Sequence, residues 1–351
     1  MLEVCFTPDG FSQRAGGVSR YFDALHCGLI SRGHNSQIFA GLNDNVPIRE
    51  APGVIGTRIR GFRGRSRMNR YLCHTWLRTR PSTAIVHNTW YLPIVPKGIR
   101  QRVAITIHDL IFAKLGHMFP NGIAQATLEA QRHWCSRADI VFAVSETTRM
   151  DACRYLGVDT NKLVVTPLGA DHIESRSTDN GHHRKLQLLY IGQRARYKNW
   201  GLLPKALAGL PGYTLVNVGG GRPTADEMAV LESARVFDRV AFVEADDLRL
   251  RDLYDESLAV VVTALYEGFG LPALEACRRG CLVVSSGTGA QREVLGDAAA
   301  YFDPHHVDSL VAAVEDAHTR EHQLRRLATR QADLFRWSRT VELSEAAYEA
   351  L

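Results

Sequence analysis

Short apolar runs alternate with longer amphipathic stretches from one end of the chain to the other. Runs of four to eight apolar residues bounded by turn signals read as buried parallel strands, and the longer periodic stretches as helices. In the first half this predicts strands at Leu2–Thr7, Ser36–Ala40, Ala84–His87, Val103–His108, Ile140–Ser145 and Leu163–Thr166. Helices are predicted near Val18–Arg32, Gly122–Ser136 and Glu146–Tyr155. The stretch Asp171–Arg184 is polar, with Ser, Thr, Asn, Gly and three His, and reads as an interdomain linker. A second series follows at Leu186–Ile191, Tyr213–Val218, Val240–Val243, Leu258–Ala264 and Cys281–Ser285, with helical stretches between. Alternation in both halves predicts an α/β chain of two Rossmann-like parallel-sheet domains facing a central cleft. The expected divisions are residues 1–170, a linker at 171–184, residues 185–335, and a C-terminal helix at 336–351.

The chain has 351 residues, for which two domains are the natural prior. Charged residues at 23% and hydrophobic ones at 45% are ordinary for a globular protein. No segment approaches the roughly 18 to 20 continuous apolar residues that a membrane span needs. The start, Met1-Leu2-Glu3-Val4-Cys5-Phe6, enters a strand at once and lacks the pattern of a signal peptide. Seven dispersed cysteines without a Cys-x-x-Cys pair suggest reduced thiols in a cytoplasmic setting. Cys277 and Cys281 have no nearby His/Cys pair to complete a metal site, so no metal is expected.

The net charge of +5 conceals a local excess. Between Arg58 and Arg80 lie eight arginines and no acid, interleaved with Leu72, Trp76 and Leu77. Part of this stretch fits an amphipathic basic helix suited to an anionic membrane surface or a diphosphate-linked acceptor. A solvated surface face is the plainer reading. Nucleic acid is disfavoured as a partner, because no binding motif is present and the excess is local.

The most informative segment runs from Tyr266 to Ala276, Tyr-Glu-Gly-Phe-Gly-Leu-Pro-Ala-Leu-Glu-Ala. It follows the apolar strand Leu258–Leu265, and Pro272 suits the first position of a helix. Glu267 then sits on the loop at a strand's C-terminal end, and Glu275 in the first turn or so of the helix. Gly268 and Gly270 let backbone approach a ligand, and the helix start offers N–H groups to an anion. Two carboxylates flanking an anion cradle suit a ligand with hydroxyls at both ends and phosphate between, as in a nucleotide-diphosphate sugar.

Other positions fit that chemistry. Arg194 and Lys198 follow the strand Leu186–Ile191, where doubly wound sheets gather ligands, and two cations there can neutralise a leaving diphosphate without a metal ion. Arg196 is expected to face solvent. Gly16-Gly17 between the first strand and helix can aim backbone N–H groups at a phosphate. His108, at the end of its strand, can hydrogen-bond a sugar hydroxyl or help stabilise developing charge, although a lone His is more often structural. His87 is placed similarly and carries less weight. Neither half holds the Gly-x-Gly-x-x-Gly fingerprint in its strand–turn–helix setting, which disfavours a nicotinamide dehydrogenase.

Taken together, these segments resemble the family-4 retaining glycosyltransferases of GT-B fold, essentially end to end. The matching stretches are Gly16-Gly17-Val18-Ser19-Arg20-Tyr21, Ile107-His108-Asp109-Leu110, Val144-Ser145-Glu146-Thr147-Thr148 and Thr166-Pro167-Leu168-Gly169. They continue with Gly192-Gln193-Arg194, Tyr197-Lys198-Asn199, Tyr266–Ala276, Arg292–Ala299 and Tyr301-Phe302-Asp303-Pro304. The Glu-x7-Glu pair, Glu267 and Glu275 around Gly-Phe-Gly-Leu-Pro, is the most specific of them.

The resemblance implies that Glu275 binds the donor ribose and Glu267 the transferred sugar. Gly268, Phe269, Gly270 and Leu271 would lie at that sugar and the diphosphate, which Arg194 and Lys198 would hold. Gly16 and Gly17 would approach the diphosphate from the N-terminal, acceptor-side domain, and His108 would contact the sugar. The helix around Trp337–Ala350 would cross back onto the first domain. The catalytic set is then Glu267, His108, Arg194 and Lys198, with no cofactor beyond the donor. One departure stands out: many relatives carry a Ser-x-x-Pro-Glu-like run where Gly289-Ala290-Gln291-Arg292 precedes Glu293, near the family's donor site.

The implied reaction transfers a hexose, with mannose from GDP-mannose favoured, to a glycan or lipid-diphosphate-linked acceptor in cell-surface polysaccharide synthesis. The implied location is cytoplasmic and peripheral to the inner face of the membrane. A UDP-sugar-dependent enzyme of the same fold and a catalytically silent nucleotide-sugar-binding scaffold are the alternatives. Paired carboxylates also serve glycoside hydrolases, but that chemistry needs neither a diphosphate clamp nor an anion-binding helix start.

Overall fold

A computed structural model describes residues 1–14, 16–59, 65–91, 99–175 and 184–351. Arg60, Arg63 and positions 176–183 of the predicted linker lie outside the described residues. The chain divides into two compact units, Met1–Gly169 with Trp337–Leu351, and Ala170–Arg336.

The first unit holds strands β1 (Glu3–Phe6), β2 (Asn35–Asn43), β3 (Val54–Arg58), β4 (Ile85–Asn88), β5 (Arg102–Ile107), β6 (Ile140–Ala143) and β7 (Leu163–Val165). Its helices are α1 (Gly17–Ser31), α2 (Arg65–Leu77), α3 (Ile111–Lys114), α4 (Ile123–Arg137) and α5 (Glu146–Leu156). The strands form one sheet in the order β3-β2-β1-β4-β5-β6-β7, with every pairing parallel. Central strands are apolar because helices cover both faces of a parallel sheet, and β4, β6 and most of β1 and β5 are buried.

The second unit repeats the design with β8 (Lys185–Ile191), β9 (Thr214–Val218), β10 (Val240–Val243), β11 (Ser257–Val262), β12 (Leu282–Ser285) and β13 (Ala300–Tyr301). Its helices are α6 (Leu202–Ala208), α7 (Ala225–Ser233), α8 (Asp247–Glu256), α9 (Leu271–Arg278), α10 (Gln291–Leu295), α11 (Val307–Thr319) and α12 (Glu321–Asp333). Here the order is β10-β9-β8-β11-β12-β13, again wholly parallel. The order reverses beside β8 and β11, and such a switch point is where open α/β sheets bind ligands at strand C-termini.

The last helix, α13 (Trp337–Glu349), belongs to the first unit and packs on α1. Gly28 permits the approach: a β-carbon there would lie 2.3 Å from Val341 Cγ2. Tyr348, 2% exposed, anchors the far end, its hydroxyl 2.5 Å from His87 Nδ1, while His87 Nε2 stands 2.9 Å from Thr106 Oγ1. Burial holds the His87 ring well below its ordinary pKa, so it is a neutral core residue with both nitrogens engaged.

Two expectations need adjustment and one holds. Strands β3 and β13 were not legible in the hydrophobic pattern: β3 is a largely exposed edge, and β13 has only two residues. The first residues of the predicted linker are fastened to the second unit. Arg278 Nε donates to Ile173 O at 2.7 Å and an Arg279 terminal nitrogen to Glu174 O at 2.6 Å. Of the basic stretch, Arg65–Leu77 is indeed helical, as α2.

Candidate active site

The Tyr266–Ala276 segment leaves β11 and enters α9 through Gly270, which has φ +96° and caps the helix without any side chain. Only glycine holds that left-handed conformation cheaply. Because Gly270 is the cap, Leu271 is the first helical residue and Pro272 the second, so Glu275 falls in the second turn and not the first. The Phe269 ring is core, edge-on to Phe335 with centroids 5.7 Å apart, and Leu271 is 7% exposed, so both side chains are packed inward.

Glu275 is 4% exposed. Tyr254 donates to its Oε2 at 2.7 Å, and His172 Nε2 stands 2.9 Å from its Oε1. A carboxylate can accept about four hydrogen bonds, so these two orient the group and leave capacity for hydroxyls. Neither partner was legible beforehand, since Tyr254 lies on α8 and His172 in the polar stretch after the first unit.

Glu267 remains on the loop and accepts from Lys198 Nζ at 2.6 Å, each side chain about one-fifth exposed. The lysine reaches it because its own segment is tied to the exit of β11. Leu265 N donates to Tyr197 O at 2.8 Å, and Thr263 Oγ1 donates to Lys198 O at 2.6 Å. Asn199, at φ +52°, then ends the short turn and donates to Pro304 O at 2.8 Å.

Arg194 has a different task from the one its spacing suggested. Its side chain is 3% exposed, and it is directed beneath the Gly219–Arg222 loop. Its Nε donates to Glu227 at 2.9 Å, and its terminal nitrogens donate to the carbonyls of Gly219, Gly220, Gly221 and Arg222 at 2.8–3.2 Å. The guanidinium also lies 4.9 Å from the Phe242 ring centroid. With its planar fork so committed, Arg194 holds a loop of three consecutive left-handed glycines and directs its charge to Glu227. Arg196 is exposed, as its position suggested.

A third loop, Ser286–Gln291, packs against Glu267. Ser286 Oγ and Thr288 Oγ1 both donate to Ala264 O, and Ala290 N donates to Glu267 O at 2.9 Å. A β-carbon on Gly289 would stand 2.2 Å from Glu267 O, so this close approach requires glycine.

The remaining candidates lie in the first unit. Gly16 and Gly17 are exposed at the start of α1. His108 follows β5, with the Tyr21 and Phe22 rings 5.4 and 5.7 Å away edge-on. Burial lowers its pKa to about 3, so the ring is neutral, and its Nε2 has no hydrogen-bond partner among the described residues. Cys277 and Cys281 are buried thiols, raised by desolvation to about 12 and about 11. Among the described residues no group of three or more His, Cys, Asp or Glu is arranged to hold a metal ion.

Two Rossmann-like parallel-sheet units are the architecture of the GT-B glycosyltransferases. Residues 173–333 match the family described as "Glycosyl transferases group 1", and residues 15–173 match "Glycosyltransferase Family 4". Between them the matches run from residue 15 to residue 333, and the chain belongs to this family of GT-B glycosyltransferases. It is similar to O-antigen chain mannosyltransferase B of Escherichia coli, 28% identical over 273 residues, which cover 72% of this chain and 71% of that relative. It is also similar to the serotype-specific mannosyltransferase WbdA of Escherichia coli, 27% identical over 235 residues. That match covers 59% of this chain and only 28% of the longer relative. Sucrose-phosphate synthase from Thermosynechococcus elongatus shares the fold, with TM-score 0.80 and 19% identity over 100% of this chain and 99% of its own.

Proposed function

We propose that the protein transfers mannose from GDP-mannose, with retention of configuration, to a hydroxyl of a glycan or lipid-diphosphate-linked acceptor in cell-surface polysaccharide synthesis. The observation that carries this reading is the Lys198–Glu267 pair beside the uncapped start of α9, with buried Glu275 farther along the same helix. The names of the mannosyltransferase relatives support the choice of sugar.

In this reading Glu275 accepts from the ribose hydroxyls and Glu267 from those of the transferred sugar. The backbone from Gly268 to Leu271 lies along the sugar and diphosphate. Lys198 and the helix start neutralise the diphosphate as the glycosidic C–O bond breaks. A phosphate oxygen takes the acceptor's proton on the face the leaving group departs from, which retains the anomeric configuration. Arg194 contributes by holding the Gly219–Arg222 loop in shape. A UDP-sugar donor is the second reading, because a carboxylate grip on ribose does not distinguish bases.

Helix α2 supports a peripheral membrane role. Arg67 and Arg78 at its end are exposed beside Met68, Tyr71 and Leu72, which are 46%, 70% and 40% exposed. Cations next to apolar side chains suit an anionic lipid surface. No helix among the described residues is long and apolar enough to cross a membrane.

The test is nucleotide release from GDP-mannose with glycan and lipid-diphosphate acceptors, followed by NMR of the product's anomeric proton. Release of GDP with an α-linked product is expected. An inverted product, or turnover with UDP-sugars alone, would contradict the mechanism or the donor respectively.

A further inference from the structure

Gln291 opens α10 and is fully buried. Its Oε1 accepts from Ser285 Oγ, and that same Oγ accepts from Gly287 N–H at 3.0 Å. The Ser285 hydroxyl thus accepts from Gly287 and donates to Gln291, with the amide oxygen on the Ser285 side. Nε2 is left facing away from Ser285, and it has no hydrogen-bond partner among the described residues.

The neighbour of this side chain is the start of α9. A β-carbon on Gly270, the cap of that helix, would lie 3.8 Å from Gln291 Cγ. The preceding residue, Ala290, donates its N–H to the Glu267 main-chain carbonyl, so one short segment touches both the Glu267 backbone and the helix start. A buried amide donor left unpaired is costly, and folded proteins rarely keep one without a use. Here it adjoins a helix start already suited to acceptor oxygens.

We propose that Gln291 Nε2 hydrogen-bonds an oxygen of the bound nucleotide-diphosphate sugar at the start of α9, making Gln291 a donor-binding residue. This rests on the donor site described under the proposed function. The acceptor oxygen belongs either to the diphosphate or to a hydroxyl of the transferred sugar, and both present the same chemistry to an amide N–H.

The test is calorimetric titration of the full chain with GDP-mannose, UDP-glucose and the matching free nucleoside diphosphates, using the unmodified protein, Gln291→Leu and Gln291→Glu. The leucine variant removes the donor while keeping the volume, and the glutamate variant keeps the Ser285 contact but replaces N–H with oxygen. Should the leucine variant fail to fold, the glutamate variant decides. Loss of one such hydrogen bond is expected to weaken binding of the preferred nucleotide sugar about tenfold. An equal loss for the free nucleoside diphosphate assigns the contact to phosphate, and a loss confined to the nucleotide sugar assigns it to the sugar. If the variants bind as the unmodified protein does, with melting temperature unchanged or raised, the amide is a packing element and the assignment is overturned. If the unmodified protein binds no nucleotide sugar, the underlying donor site falls, and the Gln291 contact with it.

Discussion

Arg194 and Lys198 are four residues apart, yet one ends buried beneath a glycine loop and the other at the Glu267 carboxylate. Their spacing predicted a shared task, because sequence places both at a strand's C-terminal edge but does not say which side chain turns under the sheet. Lys198→Ala should lower turnover by about 10²–10³, the usual effect of losing one electrostatic contact to developing charge, with little change in stability. Arg194→Ala should act on stability first: it takes the cation from half-buried Glu227 and releases four loop carbonyls, costing about 1–3 kcal/mol in denaturant unfolding. Arg194→Lys should not restore it, since an ammonium cannot reproduce the planar fork.

Asp9 offers a test of burial at the same scale. It is 6% exposed, with Oδ2 unpartnered among the described residues, and desolvation raises its pKa to about 7 despite nearby Arg70. A carboxyl raised above its unfolded value favours folding below about pH 4, and that contribution is lost as pH rises towards 7. Asp9→Asn should therefore melt higher than the unmodified protein at pH 8 and nearly level with it at pH 4. A gain that does not depend on pH would contradict the assignment.

At the scale of elements, the parallel strands were legible because each buried run is short, apolar and bounded by turn residues. The edge strand Val54–Arg58 was hidden because its side chains are largely exposed and carry no core signal. The start of α9 was misplaced by one residue because Pro272 fits either of the first two positions, and only Gly270's positive φ settles it. The seat of α13 on α1 depends on Gly28, which has no marker in the sequence beyond its place in a helix. Gly28→Ala puts a methyl where Val341 already stands and should cost roughly 1–3 kcal/mol, against a smaller gain in helix propensity. For α2, the proposed membrane face predicts that Arg67→Gln with Arg78→Gln weakens binding to anionic vesicles at low salt. About 1 kcal/mol per arginine is expected, with no effect on neutral vesicles. Unchanged sedimentation with vesicles would remove the membrane role.

Over the whole molecule, the two sheets and the Glu267/Glu275 pair were readable because fold and chemistry both concentrate at strand ends. The partners that orient Glu275 were not, because Tyr254 and His172 reach it from a separate helix and loop whose meeting depends on tertiary packing. Family membership gives the class of reaction, and the donor is the claim that most needs measurement. Calorimetric titration with GDP-mannose, UDP-glucose, UDP-N-acetylglucosamine and free mannose, on the unmodified protein and on Glu275→Gln, tests it most directly. The account predicts saturable binding of GDP-mannose in preference to the UDP-sugars, none of free mannose, and about tenfold or greater weakening in Glu275→Gln. Equal binding by the unmodified and Glu275→Gln proteins, or no binding of any nucleotide sugar, would contradict it.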